Sequence, residues 1–275
     1  MSTWYLGPDG DLRALPVPER DPSMDVVRYG GIHQALSGAR TMDVTGHRTE
    51  YSFAYRLLDA EEYAWLEALA SSHIPGPLRL LTPFKRNRLT AQAASLIPAS
   101  GGSVGASLPG LWNWEPDWPA TAPGARSLRW TSYPAGAVLR LDADRRCPVL
   151  PDESITASLY ARTDTGTVAV ELTTTAYDRT GTILGDNSHD DTVPTDWYRM
   201  AFSWTPPPGT ATVDVTLTIP TGPVPIRLAA AQLEPGDVAT DWQHGGGAPR
   251  VLIDQLTTTS PRFPLVDCTL TLLEA

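Results

Sequence analysis

The chain of 275 residues lacks the features that mark an exported or membrane-spanning protein. Its N-terminus has no basic region followed by an apolar core, and no run approaches the roughly 20 apolar residues that a membrane span needs. Cys147 and Cys268 are the two cysteines and have no ligand-like spacing, so two buried thiols are expected, not a disulfide or metal pair. The protein is therefore expected to fold in a cytoplasm, or to reach the outside within an assembly, without membrane insertion.

Motifs for known catalytic chemistry are also missing from the sequence. The histidines are scattered, and none belongs to a His-x-x-x-His or His-Glu-x-x-His arrangement. There is no Gly-x-Ser-x-Gly motif and no phosphate-binding loop between a strand and a helix. A carboxylate pair for glycoside hydrolysis must lie across a cleft, which a sequence does not show. The sequence therefore predicts no catalytic residue and a protein that is not an enzyme.

Basic residues are fewer than acidic ones, with 21 Lys and Arg against 31 Asp and Glu. The difference is concentrated in residues 99–247, where 9 − 17 = −8, whereas the flanking parts give 12 − 14 = −2. An acidic domain repels phosphates, which excludes specific nucleic acid binding as an expected function. Seven of the nine tryptophans also lie in residues 99–247, so this part differs in composition from its flanks.

Two glycine-rich stretches divide the chain, Ala99–Ser103 and Gly245–Gly247. Small flexible residues are typical of linkers, so they are interpreted as the two connections of an inserted domain. The sequence thus predicts one discontinuous domain, residues 1–98 plus 248–275, interrupted by a domain over residues 99–247. The insert has a usual domain size.

The flanking parts predict strands and one helix. Tyr51, Phe53, Tyr55 and Leu57 alternate with polar or small residues, as in a strand with one buried face. Asp59 and Glu62 have the spacing of a capping box, which predicts a helix over about 59–72. Further strands are predicted at 78–82, 251–253 and 268–273.

The insert predicts strands separated by Gly, Pro and Asp turns, with no helical segment. At least seven such strands indicate a β-sandwich. The acidic run Asp186–Asp191 is interpreted as a solvated hairpin tip, although carboxylates and amides in a turn are also calcium ligands. The predicted strands are Ser127–Trp130, Ala137–Leu141, Ser154–Arg162, Thr167–Tyr177, Tyr198–Trp204, Ala211–Ile219 and Ile226–Leu233.

Trp112, Trp114 and Trp118 form the stretch most suggestive of a ligand. Indoles offer flat apolar faces to a sugar ring, and the neighbouring amide and carboxylates offer partners for its hydroxyls. Two interpretations stand: carbohydrate contact, or packing at the start of the first strand and at the domain junction.

The order of elements resembles the tail-tube-like split barrel of siphophage distal tail and minor tail proteins. The insert resembles the jelly-roll, carbohydrate-binding-module-like domains found in phage tail proteins, because Gln232–Glu234, Gly236, Ala239–Thr240 and Trp242 match their last strand. The implied fold class is mainly β: a tail-tube-like β-barrel or sandwich with one α-helix, interrupted by a β-jelly roll. In the barrel the resemblance rests on Tyr29–His33, Tyr51–Leu57, Pro77–Pro83, Asn87–Leu89 and Thr269–Glu274.

This resemblance implies a structural protein of the virion tail tip or baseplate, assembled in the host cytoplasm. It would form a ring, a homohexamer, that joins the tail tube protein to the tip hub and other minor tail proteins. Lys85, Arg86 and Arg88 are candidates for the subunit interface, while the insert would project outward toward host surface polysaccharide. Such modules often hold a structural calcium, and the candidate ligands are Asp186, Asp190, Asp237 and Asp241.

Two alternatives remain open from the sequence. One is a stand-alone carbohydrate-binding, lectin-like module, and the other is a ring protein of a contractile injection particle. An enzyme acting on cell-wall polysaccharide is disfavoured because no motif assigns an acid, a base or a nucleophile.

Overall fold

A computed structural model describes residues 3–35, 37–43, 46–96, 110–124, 126–142, 145–262 and 264–275. The protein is mainly β, as predicted. In chain order the elements are β1 Tyr5–Pro8, β2 Arg13–Ala14, β3 Ser23–Tyr29, β4 Ile32–Gln34, β5 Arg40–Met42, β6 Gly46–Leu58, α1 Ala60–Ala70, β7 Leu78–Leu81, α2 Ala91–Ala94, β8 Leu111–Glu115, β9 Ser127–Ser132, β10 Ala137–Leu141, β11 Cys147–Pro148, β12 Ile155–Thr163, β13 Val168–Tyr177, β14 Ile183–Val193, β15 Tyr198–Trp204, β16 Thr212–Ile219, β17 Ile226–Pro235, β18 Arg250–Arg262 and β19 Leu265–Glu274.

The chain forms two compact units. The sandwich unit comprises Leu81–Ala248 with Asp9–Leu12, and the interrupted unit comprises Thr3–Pro8, Arg13–Leu80 and Pro249–Ala275. The sandwich unit therefore begins earlier than residue 99, the start expected from the sequence. The predicted linker Ala99–Ser103 lies outside the described residues.

The interrupted unit is built on a seven-stranded sheet in the order β2-β1-β7-β18-β19-β6-β3. Its core includes Trp4, Phe53 and Leu270, which are all buried. The ring of Trp4 meets that of Phe53 edge to face, with centroids 5.1 Å apart. Cys268 and, in the sandwich unit, Cys147 are two separate buried thiols, as expected.

Helix α1 begins where the capping box predicts it. The Asp59 carboxylate accepts hydrogen bonds from the backbone nitrogens of Glu61 at 2.9 Å and Glu62 at 2.8 Å, and the Glu62 carboxylate accepts one from the Asp59 nitrogen at 3.3 Å. These bonds satisfy amide donors that a helix start otherwise leaves unpaired. Leu66 and Leu69 are buried in the core of the unit.

The sandwich unit consists of two five-stranded sheets around one core, in a jelly-roll arrangement. The β12 sheet has the order β15-β12-β17-β9-β8, and the β13 sheet has the order β10-β16-β13-β14 with β11 on β16. Inward positions of β12 and β13, such as Leu159 and Leu172, are buried. The alternation of strand side chains thus gives each sheet one core face and one outer face.

The acidic run Asp186–Asp191 is not a hairpin tip, because it lies in the middle of β14, paired with β13. The turn before β14 is made by Asp178, whose Oδ1 accepts hydrogen bonds from the nitrogens of Thr180 and Thr182, each at 2.8 Å. Strand β14 ends its sheet and carries an unbroken run of polar residues from Asp186 to Thr192. It therefore lacks the apolar alternation by which a strand is predicted.

Glu234, at the end of β17, is fully buried and has several hydrogen-bond partners. Its carboxylate accepts hydrogen bonds from the Thr240 nitrogen at 2.8 Å and from Gln232 Nε2 at 2.7 Å, and it pairs with Arg86 Nε at 3.2 Å. A buried charge is tolerated only when it is paired in this way. These bonds gather Gln232, Glu234 and Thr240 around one buried carboxylate.

The segment before α2 is fixed to the same strand. The Asn87 side-chain amide donates to the Ala231 carbonyl oxygen at 3.0 Å and to that of Gln243 at 2.8 Å, and Arg88 N donates to the Leu233 carbonyl oxygen at 2.8 Å. These bonds place the segment inside the sandwich unit.

The glycines Gly245–Gly247 lie at the end of the sandwich unit, as expected of its exit, but they are tightly packed and are not a flexible linker. The nitrogen of Gly247 donates to the Asn87 carbonyl oxygen at 2.8 Å, and Thr82 N donates to the Gly247 carbonyl oxygen at 3.1 Å. A Cβ at Gly247 would lie 2.4 Å from the Lys85 carbonyl oxygen, and one at Gly245 would lie 2.3 Å from that of Leu89. Only glycine permits so close a backbone approach.

We predict that Gly247→Ala lowers the free energy of unfolding of the sandwich unit by about 1–3 kcal/mol, the usual cost of forcing atoms into a packed site. The matched control is Gly222→Ala, because a Cβ there meets no atom within 4 Å. Urea denaturation followed by tryptophan fluorescence measures both variants. Equal stability of the two variants would contradict the packing role.

Candidate functional site

Trp112 and Trp114 lie on β8, the outermost strand of the β12 sheet. Their directly paired residues are Trp130 and Leu128, whose side chains are fully buried. Paired residues project to the same side of a sheet, so both half-buried indoles lie on the core side. The structure gives these two tryptophans a packing role, and their contact with carbohydrate stays a prediction.

Trp118 is also half-buried against the core. Its Nε1 donates to the Ala122 carbonyl oxygen at 2.7 Å, and its ring meets that of Trp242 edge to face with centroids 5.6 Å apart. A Cβ at Gly124 would lie 2.0 Å from the indole, so the ring occupies space that this glycine leaves. Packing again accounts for the side chain, and sugar contact by Trp118 stays untested.

The three basic residues predicted at a subunit interface have different surroundings. Arg88 is 8% exposed, and its guanidinium bonds the Glu153 carboxylate at 2.6 and 2.7 Å. Arg86 pairs with Glu234. Both are therefore held by partners within their own unit. Lys85 and Arg86 are exposed, and a subunit contact stays a prediction for all three residues.

The candidate calcium ligands do not form one cluster. Asp186 and Asp190 are four residues apart on β14, which separates their α-carbons by about 13 Å in a strand. Asp237 and Asp241 follow the end of β17. Within the described part of the chain, no group of three or more His, Cys, Asp or Glu residues is placed to hold a metal ion. Calcium binding stays a prediction without a ligand set.

The outer face of the β12 sheet carries a network of ion pairs, which we call the charged face. Asp164 accepts hydrogen bonds from Arg129 Nε and Arg227 Nε, each at 2.8 Å. Asp117 pairs with Arg162 at 2.9 Å and accepts a hydrogen bond from Trp197 Nε1 at 3.3 Å. Three arginines thus meet three carboxylates, and their charges cancel. The members are Glu115, Asp117, Arg129, Arg162, Asp164 and Arg227.

Asp164 is the centre of the charged face. Partial burial would raise the pKa of this carboxyl group, but hydrogen bonds and charge from Arg227 and Arg129 outweigh burial and lower the pKa below its ordinary value. The carboxylate therefore remains ionised and paired with its arginines. The charged face is thus largely satisfied by its own ion pairs.

The outer face of the β13 sheet carries a second set of polar side chains, which we call the polar face. Residues directly opposite across its strands project to the same side. Thr173, for example, lies opposite Thr216 on β16 and Ser188 on β14. The members of the polar face are Arg140, Glu171, Thr173, Thr175, Asp186, Ser188, Asp190, Asp214, Thr216 and Thr218.

Asp214 is the most buried carboxylate of the polar face, with 9% of its surface exposed. Its Oδ2 accepts a hydrogen bond from the Tyr177 hydroxyl at 3.0 Å, while its Oδ1 has no hydrogen-bond partner among the described residues. Burial raises the pKa of Asp214, and the Tyr177 hydrogen bond, the charges of Arg146 and Arg140 and a Thr175 hydrogen bond offset part of that rise. An unpaired buried oxygen costs free energy.

The two faces differ in how far their polar groups are already used. Every carboxylate of the charged face has an arginine partner. On the polar face, Glu171, Asp186 and Asp190 have no ion-pair or hydrogen-bond partner within the described chain. Hydroxyl, carboxylate and guanidinium groups with free capacity can bind the hydroxyls of a polyol. The polar face is therefore the candidate functional site.

Sequence reasoning missed most of this site. Only Asp186 and Asp190 were among the candidate residues, and they were assigned to a turn. A usable signal was present in β13, where Glu171, Thr173 and Thr175 alternate with buried apolar or small positions. Such alternation identifies an outward face, but pairing with β14 and β16 is needed to assemble it.

We predict that the Asp164→Asn variant loses less stability in acid than the wild type. Because the pKa of Asp164 is lowered by folding, its ionised form contributes stability above its unfolded pKa of about 3.9, and this contribution is lost as the pH falls through the folded value. Urea midpoints measured from neutral pH to below pH ~3 test this, with exposed Asp196→Asn as the control. Identical acid slopes for wild type and Asp164→Asn would refute the assignment.

Solved structures similar to this chain include carbohydrate-binding modules and a phage tailspike domain. The CBM22-1 xylan-binding domain from Paenibacillus barcinonensis Xyn10C has 16% identity and a TM-score of 0.38, over 53% of this chain and 94% of that chain. A xylan-binding domain from CBM 22 has 16% identity and a TM-score of 0.39, over 57% and 100%. The enzymatically active domain of tailspike protein 4 of bacteriophage CBA120 has 13% identity and a TM-score of 0.39, over 54% and 22%.

No protein-family model matches the chain, and no curated protein matches it. Among the described residues, no helix is long and apolar enough to cross a membrane. At identities of 13–16% the likeness to solved structures concerns the fold alone.

Proposed function

We propose that this protein is a non-enzymatic structural component of a phage tail tip, of the distal-tail or minor-tail class, and that its sandwich unit binds polysaccharide. The interrupted unit would form the ring with other copies and meet the tail tube and the tip hub. The sandwich unit would present the polar face to glycans of the host surface.

The observation that carries polysaccharide binding is the unused hydrogen-bonding capacity of the polar face. Its hydroxyls, carboxylates and Arg140 extend over four neighbouring strands, β10, β16, β13 and β14. An extended polar surface of this kind suits a chain of sugar rings better than a small enclosed ligand, which needs a concave and mostly apolar pocket.

The order of elements in the interrupted unit supports the tail-tip assignment. Strands and the capped helix α1 precede the sandwich unit, and β18 and β19 follow it in the same sheet. This order is the basis of the resemblance to split-barrel tail proteins. Strand β3 ends the seven-stranded sheet and exposes Met24 and Val26, at 44% and 60% of their surface. An exposed apolar edge strand favours pairing with another chain.

We predict that Ser188→Arg lowers the affinity for polysaccharide about tenfold or more, because a long charged side chain in the polar face displaces the sugar chain. Ser132→Arg at the end of β9 is the matched control, since Ser132 is also an exposed strand serine. Calorimetry against a panel of soluble polysaccharides measures binding. Equal binding by both variants would exclude the polar face, and release of reducing sugar would show that the protein is an enzyme.

We predict that light scattering of the wild type shows a closed assembly of about six protomers, the ring that the resemblance to distal tail proteins implies. Val26→Asp on the edge strand β3 should shift the mass to the monomer, because it places a charge in the interface. Val17→Asp is the matched control, because Val17 is 91% exposed but lies outside the strands. A wild type that stays monomeric with its tail neighbours present would favour a stand-alone binding module.

A further inference from the structure

The polar face carries more negative charge than the basic residues of the same sheet balance. Glu171 and Asp190 lie directly opposite each other on β13 and β14. Like charges in directly opposite positions destabilise a pair of strands. Neither carboxylate has an ion-pair partner in the described chain, although the same unit pairs every carboxylate of the charged face.

Two further carboxylates lie on the same face in the neighbouring row. Asp214 and Asp186 lie on either side of Thr175, one on β16 and one on β14. Asp214 is only 9% exposed; its Oδ2 accepts a hydrogen bond from Tyr177, while its buried Oδ1 has no hydrogen-bond partner among the described residues. The hydroxyl row of Thr216, Thr173 and Ser188 separates the two acidic rows.

The charges of the nearby arginines act on Asp214, whereas Glu171, Asp186 and Asp190 have no ion-pair partner among the described residues. Arg140 lies at the β10 side, opposite Thr216, and Arg146 lies over the Tyr177 ring at 3.4 Å from its centroid. The four carboxylates Glu171, Asp186, Asp190 and Asp214 thus outnumber the two guanidinium groups. The surface offers hydroxyl partners along its middle and negative charge on both sides.

From this arrangement we infer that the polar face binds a polysaccharide that carries protonated amino groups, that is, an amino-sugar polymer. The inference rests on the proposed binding of polysaccharide at this face. Its carboxylates face the ammonium groups, and its threonine and serine hydroxyls bond the sugar hydroxyls. A single divalent cation suits the site less well, because the acidic rows are separated by about 13 Å along each strand and no metal-binding group of three forms among the described residues.

The test compares two ligands that differ only in charge, using the full-length protein. A chitosan oligosaccharide and the fully N-acetylated chitin oligosaccharide of the same length are titrated by calorimetry at mildly acidic pH. We expect the charged oligosaccharide to bind about fivefold or more tightly, with a preference that added salt weakens. Equal affinity, or a preference for the acetylated oligosaccharide, overturns the inference but leaves polysaccharide binding in place.

Paired variants separate this site from the general attraction of an acidic protein for a polycation. Glu171→Gln with Asp190→Asn should remove most of the preference. The control, Glu67→Gln with Asp196→Asn, removes two exposed acids outside the polar face and should retain it. Equal loss in both double variants overturns the inference, because net charge alone would then explain binding.

A third arm tests a metal ion at the same carboxylates. Calcium chloride is titrated alone into the wild type and into the Glu171→Gln, Asp190→Asn variant. Calcium binding that disappears in this variant identifies a cation site and overturns the amino-sugar assignment. Failure of every polysaccharide of the panel, both oligosaccharides included, refutes the proposed function itself.

Discussion

The buried carboxylate of Glu234 is the interaction on which the sandwich unit most depends. It is paired with Arg86 and hydrogen-bonded by Gln232 and Thr240, so it joins β17, the turn that follows it, and the segment before α2. Removing one partner of such a group leaves a buried charge unsatisfied, which costs several kcal/mol, ~3–5 in measured cases. Asn87, bonded to Ala231, holds the same segment from the other side.

Much of the fold was predictable because its signals are local. The capping box of Asp59 and Glu62 identified α1, and alternating apolar residues identified most strands of the sandwich. The wrong predictions concern features that depend on tertiary contacts. Nothing in the sequence shows that Gly247 must accommodate the backbone of Lys85. The polar strand β14 lacks an apolar face because it borders its sheet.

The candidate site was harder to predict than the fold for the same physical reason. Tryptophans attract attention in a sequence, yet Trp112 and Trp114 lie on the core side of β8 by their register with Trp130 and Leu128. The polar face is assembled from strands far apart in the chain, with Asp214 beside Thr175. The two sheets differ in how their outward carboxylates are used. The β12 sheet pairs its carboxylates with its own arginines, whereas the β13 sheet leaves carboxylates available to a ligand.

The hydrogen bond between Thr82 N and the Gly247 carbonyl oxygen means that the two ends of the sandwich unit meet. Because these ends meet, the interrupted unit loses less conformational entropy when it folds. Strand β7 must pair with β18 although a long stretch of chain separates them. Once the sandwich unit has folded, the chain between β7 and β18 acts as a tight turn. The entropy cost of closing this loop is then similar to that of a loop of a few residues. A folded sandwich unit therefore lowers the entropy cost of pairing β7 with β18.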